Sequence, residues 1–169
     1  MKTKNSTPIT YTIYGFFLLS TLLGTPVAKA ACSKTALQAA RTFFTHHYQF
    51  WMEKPNNLRQ LVTPSLRKLL IQEQTCSAAP QICAIDADPW LDAQDGEARH
   101  AEFSLTEDGH IVKINYLFTI ESEAQKRTAY LHLTRMAGCW RVSDLVGPEG
   151  RSLHHALENY YEAEKNENH

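Results

Sequence analysis

Residues 97–146, "EARHAEFSLTEDGHIVKINYLFTIESEAQKRTAYLHLTRMAGCWRVSDLV", decide how this chain folds. Apolar side chains recur there at every second position: Ala101, Phe103 and Leu105, then Val112, Ile114, Tyr116, Phe118 and Ile120, then Ala129, Leu131 and Leu133. A period of two puts each set on one face of a strand, because successive side chains in a strand point to opposite sides. The sets are separated by Glu107-Asp108-Gly109, by the polar run Glu121 to Lys126, and by Ala137-Gly138, each a candidate turn. Strands joined in this way, ending in "CWRVSDLV", predict a curved four-stranded antiparallel meander.

Upstream the period lengthens. In "TALQAARTFFTHHYQFW" (35–51), Leu37, Ala40, Phe44, His47 and Trp51 fall three and four apart, the spacing of an amphipathic helix that Pro55-Asn56-Asn57 is expected to end. In the next segment Thr63 reads as an N-cap with Pro64 at the first helical position. Leu66, Leu69 and Leu70 share one face of a helix running to about Gln74. Residues 75–96 read as an ordered loop. A last helix is expected from near Gly150 or Ser152, carrying Leu153, Leu157, Tyr160 and Tyr161, with 166–169 a disordered charged tail. The expected fold class is α+β over residues 31–165: two N-terminal helices packed in a curved four-stranded antiparallel sheet, with a C-terminal helix.

Residues 1–30 carry Lys2 and Lys4, an apolar stretch from about Ile13 to Leu23, and then Ala28-Lys29-Ala30. Charged, apolar and small residues in that order read as a secretory signal peptide cleaved after Ala30. The apolar stretch is too short for a bilayer span, which needs about 20 residues. Lipidation of Cys32 would call for an apolar residue three places earlier, where Lys29 stands, so no stable membrane anchor is expected. Removing the leader turns 17 basic residues against 18 acidic into 14 against 18. That balance argues against a nucleic-acid or anionic-membrane partner, both of which call for clustered Lys and Arg.

Four cysteines, Cys32, Cys76, Cys83 and Cys139, in an exported chain read as two disulfides with three possible pairings. Cys76 and Cys83 bracket the short segment "SAAPQI", which makes a local bridge the simplest choice and leaves Cys32 for Cys139. None of these spacings is that of a metal site.

The most distinctive polar stretch is "DADPWLDAQD" (86–95). Its Asp86, Asp88, Asp92 and Asp95 lack the regular spacing of a calcium loop, so Asx turns and caps around a Trp90 core anchor are expected, with no metal and no cofactor. His46-His47 and His154-His155 are adjacent pairs, and neighbours on a helix point about 100° apart, away from any common ion. An enzymatic pocket would draw on His47, Tyr116, His132 or Asp144, yet no spacing among them demands chemistry. His132 is expected to be exposed, and Asp144 to pair with Arg41 or Arg141.

Four segments carry a resemblance: Cys32 before the first helix, "ARTFFTHHY" (40–48), "DADPWLDAQD" (86–95) and "GCWRVSDL" (138–145). Together with the order of elements they resemble an exported bacterial family of unknown function, many of whose members look like lipoproteins, with a nuclear-transport-factor-2-like cone fold. The resemblance implies a cone-like sheet wrapped around the first helix and the same Cys32–Cys139 bridge. The expected function is that of a periplasmic, non-catalytic domain binding another protein, in its sharpest form an immunity protein that neutralises a toxin. Asp88, Trp90, Asp92, Asp95, Tyr48 and Trp51 are the expected contact residues. The alternatives are a small-molecule or catalytic pocket inside the cone, or an accessory subunit of an envelope complex.

Overall fold

The structure, a computed structural model, describes residues 32–79 and 82–167. In chain order the elements are helices α1 (Ala36–His46), α2 (Pro55–Leu61) and α3 (Pro64–Ser77), strands β1 (Glu97–Leu105), β2 (Ile111–Ile120), β3 (Glu123–Met136) and β4 (Cys139–Val146), and helix α4 (Leu153–Glu167). A single 3₁₀ turn, Phe50–Met52, lies between α1 and α2. The strands form one antiparallel sheet in the order β1-β2-β3-β4, so the α+β class and the meander are as expected.

β2 and β3 are the centre of the sheet, and their alternation is strict. Val112, Ile114 and Ala129 are completely buried, as is Leu131, and the register pairs Val112 with Leu131 and Ile114 with Ala129 on the core face. Towards the strand ends burial fades: Ile120 is 38% exposed and Leu105, on the edge strand, 46%. The turn between β2 and β3 is shorter than the polar run 121–126 predicts. It uses Glu121, at φ 52°, and Ser122, while residues 123–126 continue the ladder opposite Leu117 to Ile120. Backbone pairing needs no apolar side chains, so four exposed residues extend β3 without leaving a pattern.

α1 begins where Thr35 accepts a hydrogen bond from the Gln38 amide at 3.1 Å and packs against all four strands. Its buried face is Ala36, Ala39, Ala40 and Phe43, rotated by about one residue from the expected Leu37, Ala40, Phe44 and His47. Three alanines let the helix lie close to the sheet, with Leu37 and Phe44 at the margins. The helix stops at His46, and the chain makes its 3₁₀ turn before Pro55. Pro55 does not terminate a helix here; it starts one, α2, whose first position tolerates a residue without an N–H. α3 has Thr63 and Pro64 where expected, although the Thr63 hydroxyl makes no capping bond. Instead the Thr63 amide donates to the Val142 carbonyl at 2.8 Å, so the junction of α2 and α3 closes the free edge of β4.

Both disulfides are present, Cys32–Cys139 across 107 residues and Cys76–Cys83 across 7. Such bridges belong to an oxidising, non-cytoplasmic compartment. No helix among the described residues is long and apolar enough to cross a membrane. The expected signal peptide, residues 1–30, lies outside the described residues. α4 runs to Glu167, two residues into the expected tail, and 168–169 again lie outside.

Candidate functional site

The loop between α3 and β1 has little regular structure, and polar bonds from four directions hold it against the rest of the molecule. The first comes from α3. Glu73 lies on the apolar stripe of that helix, 3% exposed, and its carboxylate accepts from the Ala84 amide at 3.2 Å, the Ile85 amide at 2.9 Å and the Tyr161 hydroxyl of α4 at 2.6 Å. A buried carboxylate is tolerable when its lone pairs are used in this way. Burial and the neighbouring Glu73 push the Tyr161 phenol well up, so it acts as a donor at neutral pH.

The second comes from the sheet. The Tyr116 hydroxyl donates to the Trp90 carbonyl, and the Arg127 guanidinium donates to the Leu91 carbonyl while stacking 3.7 Å from the centre of the Phe118 ring. Burial raises the Tyr116 phenol and the Arg127 charge opposes that rise. The third is Trp90 itself, completely buried among Phe43, Phe44, Tyr48 and Phe50 with ring centroids 5.1–6.2 Å away. Its indole N–H donates to the Tyr48 carbonyl at 2.8 Å, which satisfies the one polar atom such a side chain takes into a core.

The fourth comes from the segment before α4. Asp92 accepts from the Glu149 amide at 2.9 Å and pairs with Arg151 at 3.1 Å. Gly147 sits against that carboxylate so closely that a Cβ there would collide with it. Within the loop, Asp88 accepts from the Trp90 amide at 2.8 Å, the expected Asx turn. Burial raises the Asp88 carboxyl above its ordinary value, and this carboxylate in turn helps raise Tyr48.

Trp90 offers nothing to a partner; it anchors the loop from inside. Asp88 and Asp92 face the molecule and are spent on its own backbone and on Arg151. Asp95 is exposed, as is Asp86, and both remain on the outer surface with Ile82, which is 83% exposed. Tyr48 and Trp51 are half-buried at the end of α1 and in the 3₁₀ turn. The residues named for a pocket are not gathered into one. His47 closes α1 and its Nδ1 lies 3.1 Å from Glu53. His132 is half-buried on the outer sheet face opposite Asp144. Asp144 pairs with neither arginine: it accepts from the Ser152 hydroxyl at 2.7 Å and the His154 amide at 2.9 Å, capping α4. Arg41 lies over the Phe103 ring instead, and Arg141 donates to the Arg59 carbonyl.

Two residues that hold the loop left a signal in the sequence that was not read. Glu73 is a lone acid at the spacing of Leu66, Leu69 and Leu70, and Arg127 is a cation two places before Ala129 at the parity of Ala129, Leu131 and Leu133. A charge on an apolar stripe marks a partner elsewhere in the chain. Chemically the arrangement fixes a shape: its tyrosines are held protonated and its carboxylates are occupied by amides, a hydroxyl and a guanidinium.

No family model matches the chain and no curated protein matches it. Among solved structures it is similar to a protein of unknown function from Bacteroides thetaiotaomicron, at 16% identity and a TM-score of 0.40 over 65% of this chain and 87% of that one.

Proposed function

We propose that this chain is an exported, periplasmic domain that binds another protein without catalysis, and that its partner is a toxin which it neutralises as an immunity protein. The observation that supports this reading is the loop just described. Residues 82–95 are immobilised from behind by Glu73, Tyr116, Arg127 and the Cys76–Cys83 bridge, while Ile82, Asp86 and Asp95 are left outward. A surface segment whose ordering cost is already met loses less entropy on binding and presents the same contacts each time. The reading includes a cleaved leader at residues 1–30, in keeping with the two disulfides. It also takes the architecture as a nuclear-transport-factor-2-like cone of the exported family it resembles, supported by α1 lying against every strand.

The test is affinity purification of the tagged protein from periplasm under non-reducing conditions, with mass spectrometry of bait and partner. The expected result is a stoichiometric partner on a bait beginning at Ala31. It should be lost from an Asp86→Lys, Asp95→Lys double variant that melts like the parent. A bait recovered alone, or a partner indifferent to that charge reversal, would overturn the proposal.

A further inference from the structure

Where α3 and α4 pack together they bring a serine, a histidine and a glutamate to one place on the surface. Ser65 Oγ lies 2.8 Å from His154 Nε2, and His154 Nδ1 lies 4.0 Å from Glu158 Oε2. Ser65 and His154 are 89 residues apart, so no local period relates them. They meet because each is the second residue of its helix and the starts of the two helices adjoin. The His154 backbone is fixed as well, since its amide donates to Asp144 at 2.9 Å. Glu158 stands one turn further along α4, on the same face.

The order of these atoms has a chemical consequence. A carboxylate beside Nδ1 favours the imidazole proton on that nitrogen, which leaves Nε2 to accept from the Ser65 hydroxyl. A nucleophile within hydrogen-bond reach of a base, with a third group orienting the base, is the arrangement that activates serine. The Nδ1 contact is long, as such contacts often are before a substrate is bound. Ser65 is exposed and the His154 side chain is 25% exposed, so an incoming molecule reaches both. A donor for developing negative charge is also at hand. Thr63 makes no side-chain bond to the first turn of α3, so the Ser65 amide has no acceptor within the helix and lies at its positive end.

We propose that Ser65 is a nucleophile that takes acyl groups from small, activated carboxylic esters, with His154 as its base and Glu158 as the positioning residue. Ser65 Oγ attacks the ester carbonyl carbon and its proton passes to His154 Nε2. The carbonyl oxygen, now negative, is met by the Ser65 amide. The bond to the alcohol oxygen breaks, the alcohol leaves with the proton from Nε2, and the acyl group stays on Oγ. Water, deprotonated by Nε2, then attacks the acyl carbon and releases the acid. The site shares no residue with the stapled loop, whose binding of a partner needs no chemistry, so the two readings stand or fall separately.

The test is labelling of the disulfide-bonded protein with an alkyl fluorophosphonate, from which an activated serine displaces fluoride, and mapping of the adduct by peptide mass spectrometry. Ser65 should react at least about tenfold faster than the exposed Ser104 and Ser122. His154→Gln should slow the Ser65 adduct about a hundredfold, the general-base contribution. Glu158→Gln should slow it about fivefold, the effect of one exposed charge pair, at an unchanged melting temperature, and Glu158→Asp should lose less. The parent should release p-nitrophenolate from p-nitrophenyl acetate, and Ser65→Ala, at an exposed position, should lose most of that activity. Labelling of Ser65 no faster than of Ser104 and Ser122 would overturn the proposal. So would a rate unchanged in His154→Gln, or equal p-nitrophenolate release by Ser65→Ala.

Discussion

β2 and β3 on one side, and the loop over residues 82–96 on the other, cover each other but are held in different ways. The strands bury Val112, Ile114, Ala129, Leu131 and Leu133 in regular order, and each contributes through area removed from water, about 25 cal/mol per Å². The loop buries Trp90 and Leu91 and otherwise depends on separate polar bonds, from Glu73, Tyr116, Arg127 and Arg151. An apolar face tolerates a change of one side chain for another of similar size. A set of single bonds does not, because each lost partner strands a group that is no longer hydrated.

The comparison breaks most visibly at Trp90, where the two regions share a side chain. Trp90→Ala is expected to cost about 3–5 kcal/mol in denaturant unfolding, as much as a lesion in the sheet itself. A cost near zero would mean the loop rests on the core without belonging to it. Glu73→Ala leaves the Ala84 and Ile85 amides and the Tyr161 hydroxyl without their acceptor, and about 2–3 kcal/mol should be lost. Hydrogen exchange should quicken at those two amides while β2 stays protected. Replacing Cys76 and Cys83 together by serine should cost about 2 kcal/mol, the chain-entropy value for so short a ring.

Asp144→Ala removes the cap of α4 and should cost about 1 kcal/mol, read as faster exchange in the first turn of that helix. The smallest effect sharpens the comparison. Burial raises the folded Asp88 carboxyl above its unfolded value, so the folded state holds that proton more tightly. Its contribution to stability is therefore greater once the pH has fallen below the folded value and is lost as the pH rises through it. Asp88→Asn keeps the acceptor for the Trp90 amide without the desolvated charge. It should be a few tenths of a kcal/mol more stable than the parent at neutral pH, and that advantage should vanish in acid.

The same contrast explains what could be read from the amino-acid order. Val112 to Phe118 alternate because a strand does, and that local rule predicts the meander without knowledge of anything distant. The local disulfide is legible for the same reason. α2 was not, because a proline at its first position looks like a stop when the next turn is short and only Leu58 is buried. The rotated face of α1 was set by how closely three alanines approach the sheet, which spacing alone does not encode. Asp144 capping α4, and Glu73 reaching Tyr161 across 88 residues, are contacts between segments with no shared period. The acidic loop was recognised as ordered, but the charged residues that clamp it, Glu73, Arg127 and Arg151, lie in other segments.

The two bridges are nested, Cys76–Cys83 inside Cys32–Cys139, and this bears on how the protein is made. In a chain that appears from its N-terminus, Cys32 is available long before its native partner at the start of the last strand. The first thiol it can meet is Cys76, the wrong one. If that pair forms, attack of the Cys83 thiolate on Cys76 closes the short ring and frees Cys32 for Cys139. The most far-reaching cross-link in the finished molecule is therefore the last to become possible.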